Sequence, residues 1–177
     1  MIAKKEAVVG ILPEIERRIS VREYTDQPLE KQQIDRILEA ARLAPSAKNR
    51  QAWRFIVVRN PQLRQSLKTA CFNQEYVGQA PVTIALCTTN VDYKMPNGQL
   101  SYPVDLGIAA SFMMLQSTHE GLGSCVVTTF DEADVRELLS VPYSMRVVML
   151  LTIGYANERT ERAARFPLSR MVSYDHW

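Results

Sequence analysis

The chain has 177 residues, of which 46% are hydrophobic and 23% charged, and carries a net charge of +2. A disordered chain would be poorer in apolar residues and less balanced in charge, and a nucleic-acid binder would show a lysine/arginine stripe interleaved with aromatics. The length suits a single domain over residues 1–177, large enough to bury its own core.

Met1 to Leu12 is apolar in part, but Glu6 interrupts the run and Pro13 ends it without a small-residue cleavage site. It reads as the first turns of an amphipathic helix, not as an export signal. Pro13 to Ile19 is predicted helical. Leu29 to Leu43 follows as a longer helix, because Ile34, Ile37, Leu38, Ala41 and Leu43 approximate one apolar face and Pro45 stops it. Trp53 to Val58 is aromatic and β-branched, hence a strand. Asn60-Pro61 offers a capping residue and a proline at the first helical position, starting a helix to about Ala70.

Val82 to Cys87 is a second buried strand, and Thr88 to Tyr102, with its Asn, Asp, Pro and Gly, is a loop over or beside a pocket. Val104 to Glu120 is apolar on nearly every side of a helical wheel, including Leu106, Ile108, Ala109, Phe112, Met113 and Leu115. Such a helix must be buried all round, with one face on its own chain and another on a second copy, or else at the centre of a monomer. Gly121 and Gly123 end it. Cys125 to Thr129 is a third strand, Asp131 caps a helix to Leu139, and Arg146 to Ile153 is a fourth strand. No run approaches the roughly 18 apolar residues that span a bilayer, so no membrane is expected. The first helices precede any strand, which favours an α+β layered sheet over a doubly wound one.

The three cysteines, Cys71, Cys87 and Cys125, are scattered and odd in number, which argues for reduced thiols and a cytoplasmic setting. Neither His119 nor His176 has a partner at metal-ligand spacing, so no metal is expected. There is no Gly-x-Ser-x-Gly and no Gly-x-Gly-x-x-Gly, and Cys125 reads as an inert buried thiol. What remains is cationic. Arg18-Ile-Ser-Val-Arg22 sets two guanidinium groups around a serine, a pattern suited to phosphate. Arg165 is a third arginine able to converge with them, whereas Arg159 and Arg162 read as solvated. The segment 44–53 (APSAKNRQAW) adds proline, small polar groups, an amide and cations before a strand. With no nucleophile or base in sight, the pattern fits a charged cofactor whose own ring does the chemistry.

These segments, with 121–131 (GLGSCVVTTFD), 153–155 (IGY) and 165–168 (RFPL), resemble the FMN-dependent nitroreductase family in order and spacing over nearly the whole chain. The resemblance implies an α+β fold with a central mixed, mainly antiparallel sheet flanked by helices. It also implies a domain-sharing homodimer with FMN at the interface and NAD(P)H as co-substrate. Arg18, Ile19, Ser20 and Arg165 would then lie on the phosphate side, and Arg22 near the N1 and O2 atoms of the ring. Pro45, Ser46, Ala47 and Asn49 would reach the flavin from the partner subunit. Val127, Thr128 and Thr129 would face N5 and O4, and Asn73 would add an amide contact. The expected chemistry is a ping-pong transfer: hydride from NAD(P)H to the flavin, then two electrons to a small-molecule nitroaromatic, quinone or flavin acceptor. A flavin carrier or sensor without turnover, or a cleaving or dehalogenating enzyme on the same scaffold, are the alternatives. Ala52 stands where the family usually has proline, and Lys48 where it has a small or polar residue.

Overall fold

The computed structural model describes residues 10–157 and 163–177. The turns read for Met1 to Val9 and the solvated reading of Arg159 and Arg162 lie outside them. Four strands, β1 (Trp53–Val58), β2 (Val82–Thr88), β3 (Gly123–Val127) and β4 (Arg146–Gly154), form one sheet in the order β1-β2-β4-β3. All three strand pairs are antiparallel. A single parallel bridge, between Ser20 and Ser124, lays the segment before Val21 along β3.

All seven residues of β2 are buried, as a strand covered on both faces requires. Its side chains alternate. Ile84 and Leu86 enter a core shared with α2 (Lys31–Arg42) and α5 (Ser101–His119). Ala85 and Cys87 enter a second core with α3 (Pro61–Ala70), α4 (Glu75–Gln79) and α6 (Glu132–Leu138). Helices therefore flank the sheet on both sides. The expected caps form: Asn60 Oδ1 accepts from the Leu63 N–H at 2.9 Å, and Asp131 Oδ1 from Ala133 and Asp134 at 2.8 and 3.1 Å. No helix among the described residues is long and apolar enough to cross a membrane.

The all-apolar helix α5 is buried on one side only by its own chain. Leu106, Ala109, Ala110 and Met113 are at most 1% exposed, whereas Val104 and Phe112 keep 43% and 37% of their surface.

Several boundaries differ from the sequence reading, among them the start of α5 at Ser101 and not Val104, which takes Ser101 and Tyr102 out of the predicted loop. The first helix, α1 (Pro13–Arg17), stops before Ile19, because Val21 instead donates its N–H to the Ser124 carbonyl at 3.0 Å. The third strand runs 123–127 and not 125–129. Gly123 belongs to it rather than to the end of α5, and packs so closely on Val21 that any Cβ would overlap that side chain. Gly121, at φ 75°, is the residue that turns the chain out of α5. Helix α4 was not foreseen; it follows two left-handed residues, Phe72 and Asn73, at φ 54° and 59°.

Candidate functional site

The cationic arm is held by sheet-like bonds. Ser20 bridges Ser124, Val21 is fully buried, and the Thr25 N–H donates to the Tyr155 carbonyl at 2.9 Å. Tyr24 locks this arm from inside. Its hydroxyl lies 2.8 Å from Thr152 Oγ1 and donates toward the Val21 carbonyl at 3.0 Å. Burial raises its pKa far above the ordinary phenol value, so it stays a neutral donor. Val21 and Tyr24 are thus buried, while Ser20, Arg22 and Glu23 are exposed and Arg18 and Ile19 half-buried.

Arg22 lies 6.0 Å from the centre of the Tyr76 ring. The Tyr76 hydroxyl donates to Gln74 Oε1 at 2.6 Å, and Gln74 Nε2 donates to the Thr129 and Cys71 carbonyls at 2.9 and 3.0 Å. Arg22, Tyr76, Gln74 and Thr129 therefore form one connected chain of contacts. It brings the arm, the turn carrying Asn73, and the Val127-Thr128-Thr129 end of β3 to the same edge of the sheet. Thr128, Thr129 and Asn73 are exposed, and Val127 is buried beneath them.

Cys125 sits under this edge. Burial raises its thiol pKa, while the charges of Arg22 and Arg18 and a hydrogen bond with Tyr76 pull it back down. Cys71 and Cys87 are pushed up to about 11 by burial, and all three thiols are free.

Pro45, Ser46, Ala47 and Asn49 lie elsewhere. They precede β1, the edge strand at the opposite side of the sheet from β3. This loop is strained: Lys48, Asn49 and Gln51 adopt left-handed φ values of 53°, 52° and 50° without being glycine. Several bonds hold it in place, two of them from backbone to side chain. The Ala47 N–H donates to Asp105 Oδ1 at 2.8 Å, and the Gln51 N–H to Ser46 Oγ at 3.0 Å. Asp105 is only 7% exposed near the start of α5. The Ala52 carbonyl, where the resembling family usually has proline, accepts the Thr89 N–H at 3.0 Å and so ties the 88–102 loop beside this one.

Arg165 joins neither half. It is exposed, and its Nη1 donates to the Ala163 and Ala164 carbonyls at 3.1 and 3.2 Å, within its own segment.

One polypeptide thus brings Arg18, Ile19, Ser20, Arg22, Asn73 and 127–129 together, and holds 45–49 apart from them. The sequence reading missed Gln74, Tyr76 and Asp105. For Asp105 there was a signal, a lone carboxylate inside an otherwise apolar helix. For Gln74 and Tyr76 there was none without knowledge of α4.

An α+β sheet flanked by helices thus carries exposed cations and hydrogen-bonding groups on one edge, a set of donors suited to an anion. The nitroreductase family profile matches residues 15–76 and 68–155, and this chain belongs to the nitroreductase family. The chain is 29% identical to an NADH dehydrogenase of Thermus thermophilus over 88% of this chain and 91% of that one. It is also 29% identical to an FMN reductase [NAD(P)H] of Bacillus subtilis, covering 84% of this chain and 66% of that one. Among solved structures, an FMN-dependent nitroreductase of Clostridium difficile R20291 superposes with a TM-score of 0.81 at 28% identity, covering 93% and 98% of the two chains.

Proposed function

We propose that this protein is a homodimeric, FMN-dependent NAD(P)H oxidoreductase, one flavin-binding domain over residues 1–177, that reduces a nitroaromatic, quinone or flavin acceptor by a ping-pong mechanism. The observation that carries the reading is the split site. Half-buried Arg18 and exposed Ser20, Arg22 and 128–129 line one edge of the sheet, and the 45–49 loop precedes the strand at the other. A second copy brings the missing half to each edge. The exposed apolar side of α5, with Val104 and Phe112, supplies a surface for that pairing. So does the tail, where Phe166 and Leu168 stay 61% and 73% exposed.

The donor set fits FMN. Arg18 and Ser20 offer charge-assisted bonds to a phosphate dianion, with Arg165 joining once the tail is packed. Arg22 places a fixed positive charge on the ring side, where reduction leaves negative charge. The exposed 128–129 backbone offers ring contacts, and Asn73 a side-chain amide. Pro45, Ser46, Ala47 and Asn49 close the ring from the partner. FMN, when bound, supplies the hydride acceptance and donation that no side chain here provides. Gln74 and Tyr76 orient the two ring-side elements. The buried, neutral Tyr24 holds the arm without adding charge to it.

The purified protein is expected to be yellow, to bleach under anaerobic NADH or NADPH, and to run as a dimer in size-exclusion chromatography with light scattering. A colourless monomer that takes up no added FMN overturns the reading. A yellow dimer whose flavin no reduced nicotinamide bleaches points instead to a flavin carrier.

A further inference from the structure

The strained loop does more than carry 45–49. Arg50 Cζ lies 4.0 Å from the centre of the Tyr93 ring, and Lys48 Nζ lies 5.4 Å from it. Two cations therefore share one aromatic ring. Some other exposed cations pair with carboxylates, as Arg42 does with Glu39, Arg36 with Glu120 and Arg146 with Glu132, while Arg136 and Arg170 each lie alone over a ring, of Tyr143 and Phe166. Lys48 and Arg50 make no ion pair among the described residues.

Their positions are built rather than incidental. Lys48 occupies a left-handed backbone position at φ 53°, a cost sustained by the bonds from Ala47 to Asp105 and from Gln51 to Ser46. Tyr93 is half-buried, and its carbonyl accepts the Ser101 N–H at the start of α5 at 3.1 Å. Both loops that form the cluster are thus fixed to α5. The cations are the direct chain neighbours of Ala47 and Asn49, two of the residues assigned to the flavin ring.

We propose that Lys48, Arg50 and Tyr93 form a subsite for a phosphomonoester carried by a nucleotide substrate. A guanidinium fork and an ammonium close together match the charge and the oxygens of a phosphate dianion better than those of a single carboxylate. Tyr93 holds the two like charges near each other while the subsite is empty. Resting on the oxidoreductase reading above, the phosphate belongs either to the ribose 2′ position of NADPH as reductant or to free FMN as acceptor. The two share the same chemistry at this site.

The test compares pairs that differ in that one phosphate, using flavin-loaded protein. Calorimetric titration with 2′,5′-ADP and with 5′-AMP reads binding without turnover. Values of kcat/KM for NADPH against NADH, and for FMN against riboflavin as acceptor, identify the source. The phosphorylated member is expected to be favoured by about tenfold in at least one pair, the worth of one charge-assisted bond. The K48Q/R50Q double variant should bring that ratio close to unity, and K48R/R50K should retain it. No preference in any pair, or a preference that survives K48Q/R50Q, overturns the proposal. A protein without turnover would sink the oxidoreductase reading, and titration of the flavin-loaded protein with 2′,5′-ADP against 5′-AMP and with FMN against riboflavin would then decide the subsite alone.

Discussion

The two halves of the proposed site are built on opposite principles. The Arg18–Arg22 arm is extended backbone stitched to β3 and β4, with Val21 and Tyr24 buried beneath it. The 45–51 loop has no such floor; it is a run of left-handed residues clamped by Asp105 and Ser46. In the first half, precision comes from the sheet and the core. In the second, it comes from a few polar bonds that offset local strain. Substitutions should therefore act differently on each side.

The largest separation is expected in cofactor retention. R18A/R22A removes two charge-assisted contacts and should weaken FMN binding by about 100-fold, whereas Asn49→Ala should change it by no more than about threefold. Flavin fluorescence titration measures both. Equal losses would mean that the halves contribute alike.

Stability should separate them next, and with opposite sign. In Gly123→Val the new side chain has no room beside Val21. Overpacking there should cost about 3 kcal/mol, or roughly 6–12 °C in melting temperature for a chain of this size. Lys48→Gly relieves a left-handed residue on the surface, and should leave the melting temperature unchanged or raise it by about 1–3 °C. A drop comparable to that of Gly123→Val would show that the loop's conformation is not strained.

The same contrast explains what could be read from the sequence. The strands at 53–58 and 82–87 and the caps at Asn60 and Asp131 depend on neighbours in the chain, and they formed where local rules put them. The cationic arm was legible as a cluster because Arg18, Ser20 and Arg22 lie within five residues. The clamp from Asp105 to Ala47 joins residues 58 apart, and the meeting of Lys48 and Arg50 with Tyr93 also joins distant segments. No local pattern announces either. Helix α4 was hidden because it has only five residues, includes Gly78, and follows non-glycine residues at positive φ. Beginning the third strand at 125 rather than 123 had a similar cause, since Gly123 reads as a helix stop until Val21 is known to need its space.

Asp105 tests the clamp itself. Asp105→Ala leaves the Ala47 N–H without its acceptor and should cost about 2 kcal/mol, while Asp105→Asn keeps an oxygen there and should cost less than half of that. Thermal melts read the stability. FMN titration should show the loss confined to the partner-facing side, as a weaker dimer-dependent component of binding. Equal effects from Ala and Asn would assign Asp105 to charge rather than to the bond.

The smallest expected effect concerns pH. Glu132 accepts from Arg146 at 2.6 Å and from the Val147 N–H at 3.1 Å, joining the start of α6, just beyond the 128–129 turn, to the start of β4. The Arg146 hydrogen bonds hold its carboxyl below the usual range. A carboxyl whose pKa is depressed on folding contributes stability above the pKa it has when unfolded, and loses it as pH falls toward the folded value. The contribution should be present at neutral pH and fade below about pH 4.5. Glu132→Gln should thus cost about 1 kcal/mol at pH 7 and progressively less as pH falls below about 4.5, relative to wild type. Melting curves across that range would show the two proteins converging in acid. A constant offset at every pH would mean that Glu132 acts through packing and not through its charge.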